Sequence, residues 1–235
     1  MASLKDDRGY NQMFAPSKAM QVRSERRSDM LISEMNISKG TTILEIGCGT
    51  GEIADYIASK IVGQVIGTDI CVPFIDEATE KHKRPNLSFE VLDFNKPDSL
   101  KGKKFDYIIG NGILHHLYYQ LDEALVNIRF LLKDGGKLIF LEPNLLNPYC
   151  YLIFTYPYFR KKANLEPDEM AFTKTFIQEK LQKAGYSSSK VVYKDFLLPV
   201  IPDALIKPVI LVGDLVEKIP LLNRMTQSIF IVGEK

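Results

Sequence analysis

Three glycines stand at alternate positions, Gly47, Gly49 and Gly51, within "ILEIGCGTGE". Glu45 comes two residues before the first, and Glu52 directly follows the third. A strand that turns this tightly into a helix brings backbone N–H groups and the positive end of the helix dipole to one spot. Without a Cβ, Gly47 and Gly49 are expected to let a ligand approach the main chain, and Gly51 to let the first helical turn pack close to the strand. A dinucleotide loop needs its third glycine one residue later than it falls here, and Glu52 fills that slot. A carboxylate there repels a pyrophosphate, whereas two acids flanking the loop suit a ligand that carries an ammonium group.

More side chains follow with the same polarity. Asp69, in "VIGTDI", lies about twenty residues beyond the loop, where an acid accepts hydrogen bonds from ribose hydroxyls. Capping the helix that starts near Cys71 is its other role, and the two are compatible. In "VLDF", Asp93 is placed to bond an adenine amino group, with Phe94 along the ring. A turn-forming aspartate is the plainer alternative. Asn111 and Gly112, in "YIIGNGILHHL", reach the same edge. The ligand these positions describe is S-adenosylmethionine, which has an ammonium and a sulfonium and no phosphate. Cys48 within the loop and Ile70 after Asp69 complete the expected shell, and no metal site is assigned.

Methyl transfer from a sulfonium is an in-line displacement, so positioning and exclusion of water do most of the work. A base is required when the nucleophile is a hydroxyl or an acidic carbon. His115 is the candidate, since imidazole is the side chain that takes up protons near neutral pH. Packing under the pocket, or capping of the next helix, is the alternative for His115 and His116. Glu142 and Asn144, at the end of a later strand, lie within reach of an acceptor. Arg23 is a candidate for the methionine carboxylate, although a solvated surface arginine is favoured because Arg26 and Arg27 follow it. Tyr10 also precedes the core.

These residues need an alternating strand–helix scaffold, and the pattern supplies one. Short β-branched or aromatic runs at 41–46, 64–70, 87–92, 105–110, 137–142, 190–196 and 228–233 read as strands. Leu121, Leu125, Ile128 and Leu132 form one helical stripe, with Gly135 and Gly136 where a helix stop is expected. Residues 175–184 form a second helix closed by Gly185, and 24–35 form an opening one. The result is an α/β fold with a mostly parallel sheet. Segments 143–172 and 197–226 are long for simple connections and are read as caps at the carboxyl edge of the sheet. The first, with "NPYCYLIFTYPYFRKK", is favoured as a folded lid with core aromatics and solvated charges, over a membrane-docking surface. The second is expected to pack on the first and form a greasy acceptor pocket, with dimerisation as the competing reading.

Composition narrows the classes further. The 30 lysines and arginines against 29 acids leave a formal charge of +1, so no nucleic-acid partner is expected. Three dispersed cysteines, Cys48, Cys71 and Cys150, make neither a disulfide framework nor a zinc-ligand spacing and fit a reducing, cytoplasmic setting. The opening "MASLKDDRGYNQ" lacks the apolar run of a secretory signal, and no unbroken apolar stretch is long enough for a transmembrane helix.

"ILEIGCGTGE", the spaced Asp69 and Asp93, "GILHHL" and "LKDGGKLIFLEPN" resemble the class I S-adenosylmethionine-dependent methyltransferases, in particular the broad group that includes the ubiquinone and menaquinone C-methyltransferases. The resemblance covers roughly residues 43–142. It implies a Rossmann-like seven-stranded sheet with helices on both faces, the last strand, "SIFIVGEK", running antiparallel. The chain is read as one domain over 1–235, with a helical segment at 1–40, a cofactor core at 41–142 and cap insertions at 143–172 and 197–226; the caps match no pattern of the family, so the resemblance does not name the acceptor. Glu45, Gly47, Gly49 and Gly51 match the first motif, Asp69 the ribose acid and Asp93 the adenine-side acid. In similar enzymes an N-terminal helix closes over the cofactor. The Asp/Asn-Pro-Pro-Tyr motif of many base-methylating enzymes is absent. The expected activity is therefore methyl transfer to oxygen or carbon of a small or lipid-linked acceptor, by a monomer or homodimer with possible membrane contact through the caps. The alternatives are a nicotinamide-dependent oxidoreductase and a non-catalytic binding module.

Overall fold

The computed structural model describes residues 17–94, 100, 102–198 and 201–235. Seven strands form one sheet: β1 (Thr42–Ile46), β2 (Gln64–Asp69), β3 (Leu87–Val91), β4 (Phe105–Asn111), β5 (Leu132–Pro143), β6 (Ser188–Lys194) and β7 (Ser228–Glu234). Their order is β3-β2-β1-β4-β5-β7-β6. β7 pairs antiparallel with both β5 and β6, while the other pairings are parallel. All seven expected strands are present, and the sheet is the Rossmann-like one.

Alternate residues of each central strand feed opposite faces, the period-2 rule for a sheet covered on both sides. On one face Leu44, Ile108, Leu138 and Phe140 pack with Leu121, Leu125 and Ile128 of α4 (Leu121–Leu131) and with Ile177 and Leu181 of α7 (Lys174–Lys183). On the other, Ile43, Ile109, Ile139 and Leu141 meet Leu31 of α1 (Lys18–Ile32) and Ile53, Ala54 and Ile57 of α2 (Glu52–Lys60). Glu45 lies two residues from Ile43 and so falls on the α2 side. The remaining helices are α3 (Val72–Lys81), α5 (Pro148–Thr155), α6 (Pro157–Lys162) and α8 (Asp203–Val216), with short 3₁₀ turns at Leu114–Gln120 and Leu222–Met225.

From β1 the chain runs outward through β2 to β3, then returns to place β4 on β1's other side. The loops after β1 and β4 thus diverge at a topological switch point, the ligand crevice of open α/β sheets.

Several local expectations are corrected. The opening helix is Lys18–Ile32, earlier than 24–35, because Ser17 accepts a hydrogen bond from the Met20 N–H and sets its start. α4 stops at Leu131. Leu132 turns extended as its C-cap and already pairs with Phe105, so Gly135 and Gly136 lie inside β5 at a register shift and do not end the helix. β6 ends at Lys194 because Asp195 adopts a positive φ of 70°.

The caps also differ from expectation. In the first, Cys150 and Phe154 are buried, but Tyr149, Tyr151, Tyr156, Tyr158 and Phe159 are exposed. Arg160 is not solvated: its guanidinium donates to the carbonyls of Phe154, Glu166, Pro167 and Glu169. In the second cap, α8 packs on the opening helix, with Ile206 and Leu197 against Ala19 and Arg26 bonded to Asp214 at 2.6 Å. The two caps meet where Asn144 and Asn147 donate to the carbonyls of Arg224, Met225 and Thr226.

Candidate cofactor and catalytic site

Gly47, Gly49 and Gly51 all take left-handed conformations, with φ of 68°, 53° and 84°. Their missing side chains serve different neighbours. A Cβ on Gly47 would lie 2.6 Å from Ile113 Cγ1, and one on Gly51 would lie 2.7 Å from the Phe89 ring. A Cβ on Gly49 would meet nothing within 4 Å. Gly51 thus permits close packing as expected. Gly47 is bare for Ile113, and Gly49 is the glycine that opens onto free space.

Asp69 braces this loop from β2. Its Oδ2 accepts from the Gly49 N–H and its Oδ1 from the Cys71 N–H, both at 2.9 Å. Each carboxylate oxygen has a second lone pair for a ligand hydroxyl. Ile70 next to it is an apolar side chain left 42% exposed at this edge. Phe94 belongs to the core beneath, packed with Leu92 and Leu100, and Asp93 precedes it at the end of β3. Cys48 is buried, its N–H bonded to the Thr68 carbonyl, and burial pushes its thiol up, beyond reach of ionisation. Tyr10 lies outside the described residues.

Glu45 is the electrostatic anomaly of the site. It is 1% exposed, and its Oε2 is buried without a hydrogen-bond partner. Burial, then Glu52 and Asp69, push its carboxyl up to about 8. Glu52 itself, an exposed side chain, is held low against partial desolvation, since Lys81 pairs with it at 2.7 Å and the Thr50 hydroxyl also donates to it. A buried, under-partnered carboxyl amid other acids, next to a bare backbone, fits a ligand whose ammonium supplies the missing donor and charge.

The loop after β4 lies against this one through Ile113. The Ile113 and Leu114 N–H groups donate to Glu142 Oε1 at 3.0 and 2.8 Å, and the His115 N–H donates to Oε2 at 3.3 Å. Glu142, from the end of β5, thus holds the start of the 3₁₀ turn. Its Oε2 also lies 3.0 Å from His115 Nδ1. In the tautomer that donates from Nδ1 to Glu142, Nε2 carries the lone pair. Nε2 faces the first cap, where Glu169 Oε2 lies 4.0 Å away. Phe154 packs edge-on to the ring, and the Met170 N–H donates to the His115 carbonyl.

Asn111 reaches neither histidine. Its Oδ1 accepts from Arg27 Nη1 at 2.6 Å, and Arg27 also bonds Asp195 and Ser228. Arg23, expected in solvent, is buried beside this cluster, its Nε 3.6 Å from Asp195 Oδ2. Burial, and then Arg27, lower its guanidinium to about 9. Burial alone would raise Asp195, yet Arg27 and Arg23 hold it low. This network ties the opening helix to the end of β4. Asn144, buried, is spent on the carbonyls of the second cap and makes the short bridge to Phe172.

Sequence reasoning missed Arg27 and Asp195, which have no local motif, and did not pair Glu142 with His115. Their adjacency is a consequence of β4 and β5 being neighbours.

Strand order, the loop at the switch point and the antiparallel last strand define a class I S-adenosylmethionine-dependent methyltransferase fold. Known proteins agree. Residues 44–138 match the family described as "Methyltransferase domain". The chain is 26% identical over 223 residues to the highly reducing polyketide synthase NEC1 of Pyricularia oryzae, across 85% of this chain and 8% of that protein. It spans less than a tenth of the length of the polyketide synthases it matches. Among solved structures, a methyltransferase from Archaeoglobus fulgidus aligns with a TM-score of 0.64 at 18% identity, covering 97% of this chain and 98% of that one. The CurJ carbon methyltransferase aligns at 0.63 and 22% identity, covering 95% of this chain and 57% of that one. The chain therefore has the fold of the S-adenosylmethionine-dependent methyltransferases, and residues 44–138 match a methyltransferase domain.

Proposed function

We propose that the chain moves a methyl group from S-adenosylmethionine to a carbon made acidic by a neighbouring carbonyl, on a small or lipid-linked acceptor. The observation that carries this reading is the buried His115–Glu142 pair at 3.0 Å, joined through Ile113 to the glycine loop. A carbon acid needs a base before it can attack, and an imidazole fixed by a carboxylate is one. The likeness to polyketide synthases and to a carbon methyltransferase favours carbon over oxygen.

Bound at the loop, S-adenosylmethionine supplies an electrophilic methyl group. Glu45 would receive its ammonium, Gly49 would give it room and Asp69 would accept from its ribose, with Cys48, Ile70, Asp93, Phe94 and Asn111 bordering the rest. His115 Nε2 takes the proton from the acceptor carbon, whose electron pair forms the new bond to the methyl carbon as the methyl–sulfur bond breaks and its electron pair returns to sulfur, so that neutral S-adenosylhomocysteine leaves. Glu142 holds Nδ1–H and stabilises the imidazolium that results. Phe154 and the Met170 backbone keep water from the pair.

The domain limits of the sequence reading stand within this proposal: a core at 41–142, with the caps closing the acceptor side. Among the described residues no helix is long and apolar enough to cross a membrane. The exposed tyrosines of the first cap favour an acceptor with an apolar tail, and with it peripheral membrane contact. Cys48, Cys71 and Cys150 are buried thiols outside any disulfide, which favours a cytoplasmic setting.

The test is transfer of a ¹³C-methyl group to a β-ketoacyl thioester, read by NMR. Carbon-bound methyl in the product, lost in His115→Ala with cofactor affinity retained, supports the reading. Oxygen-bound methyl, or full turnover in His115→Ala, rejects it. Cofactor affinity unchanged in Asp69→Ala would remove Asp69 from the site; at least a tenfold loss is expected. Calorimetry that found NAD binding and none of S-adenosylmethionine would favour the oxidoreductase instead.

A further inference from the structure

Beside the base sit two side chains that methyl transfer does not use, His116 and Glu169. His115 and His116 are sequence neighbours on the 3₁₀ turn, with ring centroids 4.1 Å apart. Both face one carboxylate of the first cap: Glu169 Oε1 is 3.4 Å from His116 Nδ1, and Oε2 is 4.0 Å from His115 Nε2. One donor atom from each of the three lies within 4.8 Å of the others. Ligand atoms around a tetrahedral zinc sit about 3.3 Å apart, given bond lengths near 2.0–2.2 Å, so small side-chain rotations bring these into range.

Two further observations favour a cation. Metal-binding histidines usually donate their other ring nitrogen to a carboxylate, and His115 already has Glu142 on Nδ1. Glu169 is itself buried, 2% exposed. Its neighbour Arg160 spends its guanidinium on carbonyls and on Met170 Sδ. The His116 side chain is 28% exposed and gives an ion its route in.

We propose that His115 Nε2, His116 and Glu169 form a binding site for a zinc-class divalent ion, and that an ion seated there silences the enzyme by occupying the lone pair the base needs. Two imidazoles and a carboxylate with an open fourth position is a zinc-type donor set, one that magnesium disfavours. The binding half stands alone; the silencing half rests on His115 acting as the base.

Calorimetry of the apo protein with ZnCl₂ should give one site, and CoCl₂ should produce the visible absorption of a four-coordinate ion on the wild-type chain. Glu169→Gln and His116→Gln should each weaken zinc at least tenfold, with an unchanged melting temperature in chelator. One equivalent of zinc should inhibit wild-type methyl transfer, chelator should restore it, and His116→Gln should be active and insensitive. Absence of zinc binding by the wild type, equal binding by both variants, or inhibition that persists in His116→Gln would each overturn the proposal. A wild type inactive even in chelator, yet with a saturable zinc site lost in the variants, would fault the catalytic reading and uphold the site.

Discussion

Glu45 carries the sharpest prediction, because its carboxyl is displaced to about 8 in the ligand-free protein. At pH 6, two units lower, roughly one chain in a hundred holds Glu45 ionised, against half at pH 8. If the ammonium of the cofactor binds the carboxylate, affinity for S-adenosylhomocysteine should fall about fiftyfold from pH 8 to pH 6, or roughly 2.3 kcal/mol at about 1.36 kcal/mol per tenfold step. At pH 7 nearly one proton should leave on binding. Calorimetry in buffers of different ionisation enthalpy reads that proton directly. In Glu45→Gln the pH slope and the proton release should both vanish, with tenfold or weaker binding at pH 8. Methylthioadenosine, which lacks the amino-acid end, should show neither effect on the wild type. The same displacement has a stability consequence of opposite sense. The folded state binds this proton more tightly than the unfolded chain, where the group sits at the ordinary 4.5. Apo stability should therefore fall as pH rises from about 4.5 through about 8. Glu45→Gln should remove that slope and raise the apo melting temperature at pH 8. A flat binding profile with no proton release would refute the reasoning.

Other perturbations separate binding, catalysis and scaffold. Gly49→Ala should cost about 1–2 kcal/mol for its positive φ yet abolish tight cofactor binding, whereas Gly51→Ala should cost more stability because its Cβ meets Phe89; paired thermal melts and calorimetry check this. Glu142→Gln should lower turnover by at least tenfold while cofactor affinity stays within about twofold, since Gln can still accept at the turn; steady-state kinetics and calorimetry read the two separately. Arg27→Ala leaves Asp195 buried with a weakened counter-charge and should cost about 3–5 kcal/mol, measured by denaturant unfolding.

The sheet could be read from sequence because β-branched runs recur between helical stripes and the central strands are apolar on both faces. The cofactor loop was visible for a related reason: its glycines and acids are contiguous or spaced by one strand–helix unit, so their placement follows from local geometry. Ends of elements were harder. Gly135 looks like a helix stop, but the pairing of Leu132 with Phe105 pulls the chain into a strand first. Asp195 ends β6 through a backbone conformation that its residue type does not announce. The catalytic pair was half visible, because His115 follows β4 while Glu142 ends β5, and only sheet order makes them neighbours. Arg23 and its companions look like a solvated basic run until α1 lies across β7 and brings them to Asp195. Glu169 and Arg160 could not be placed at all, since a cap without a repeating pattern fixes nothing in advance.

The central claim is that the bare loop and its buried acid hold the amino-acid end of S-adenosylmethionine. A crystal structure of the chain with S-adenosylhomocysteine tests it most directly. The account predicts the ligand's amino group within hydrogen-bond reach of Glu45, directly or through one ordered water, and its ribose hydroxyls on Asp69. A ligand bound elsewhere, or a complex that leaves Glu45 Oε2 without a partner, would contradict it.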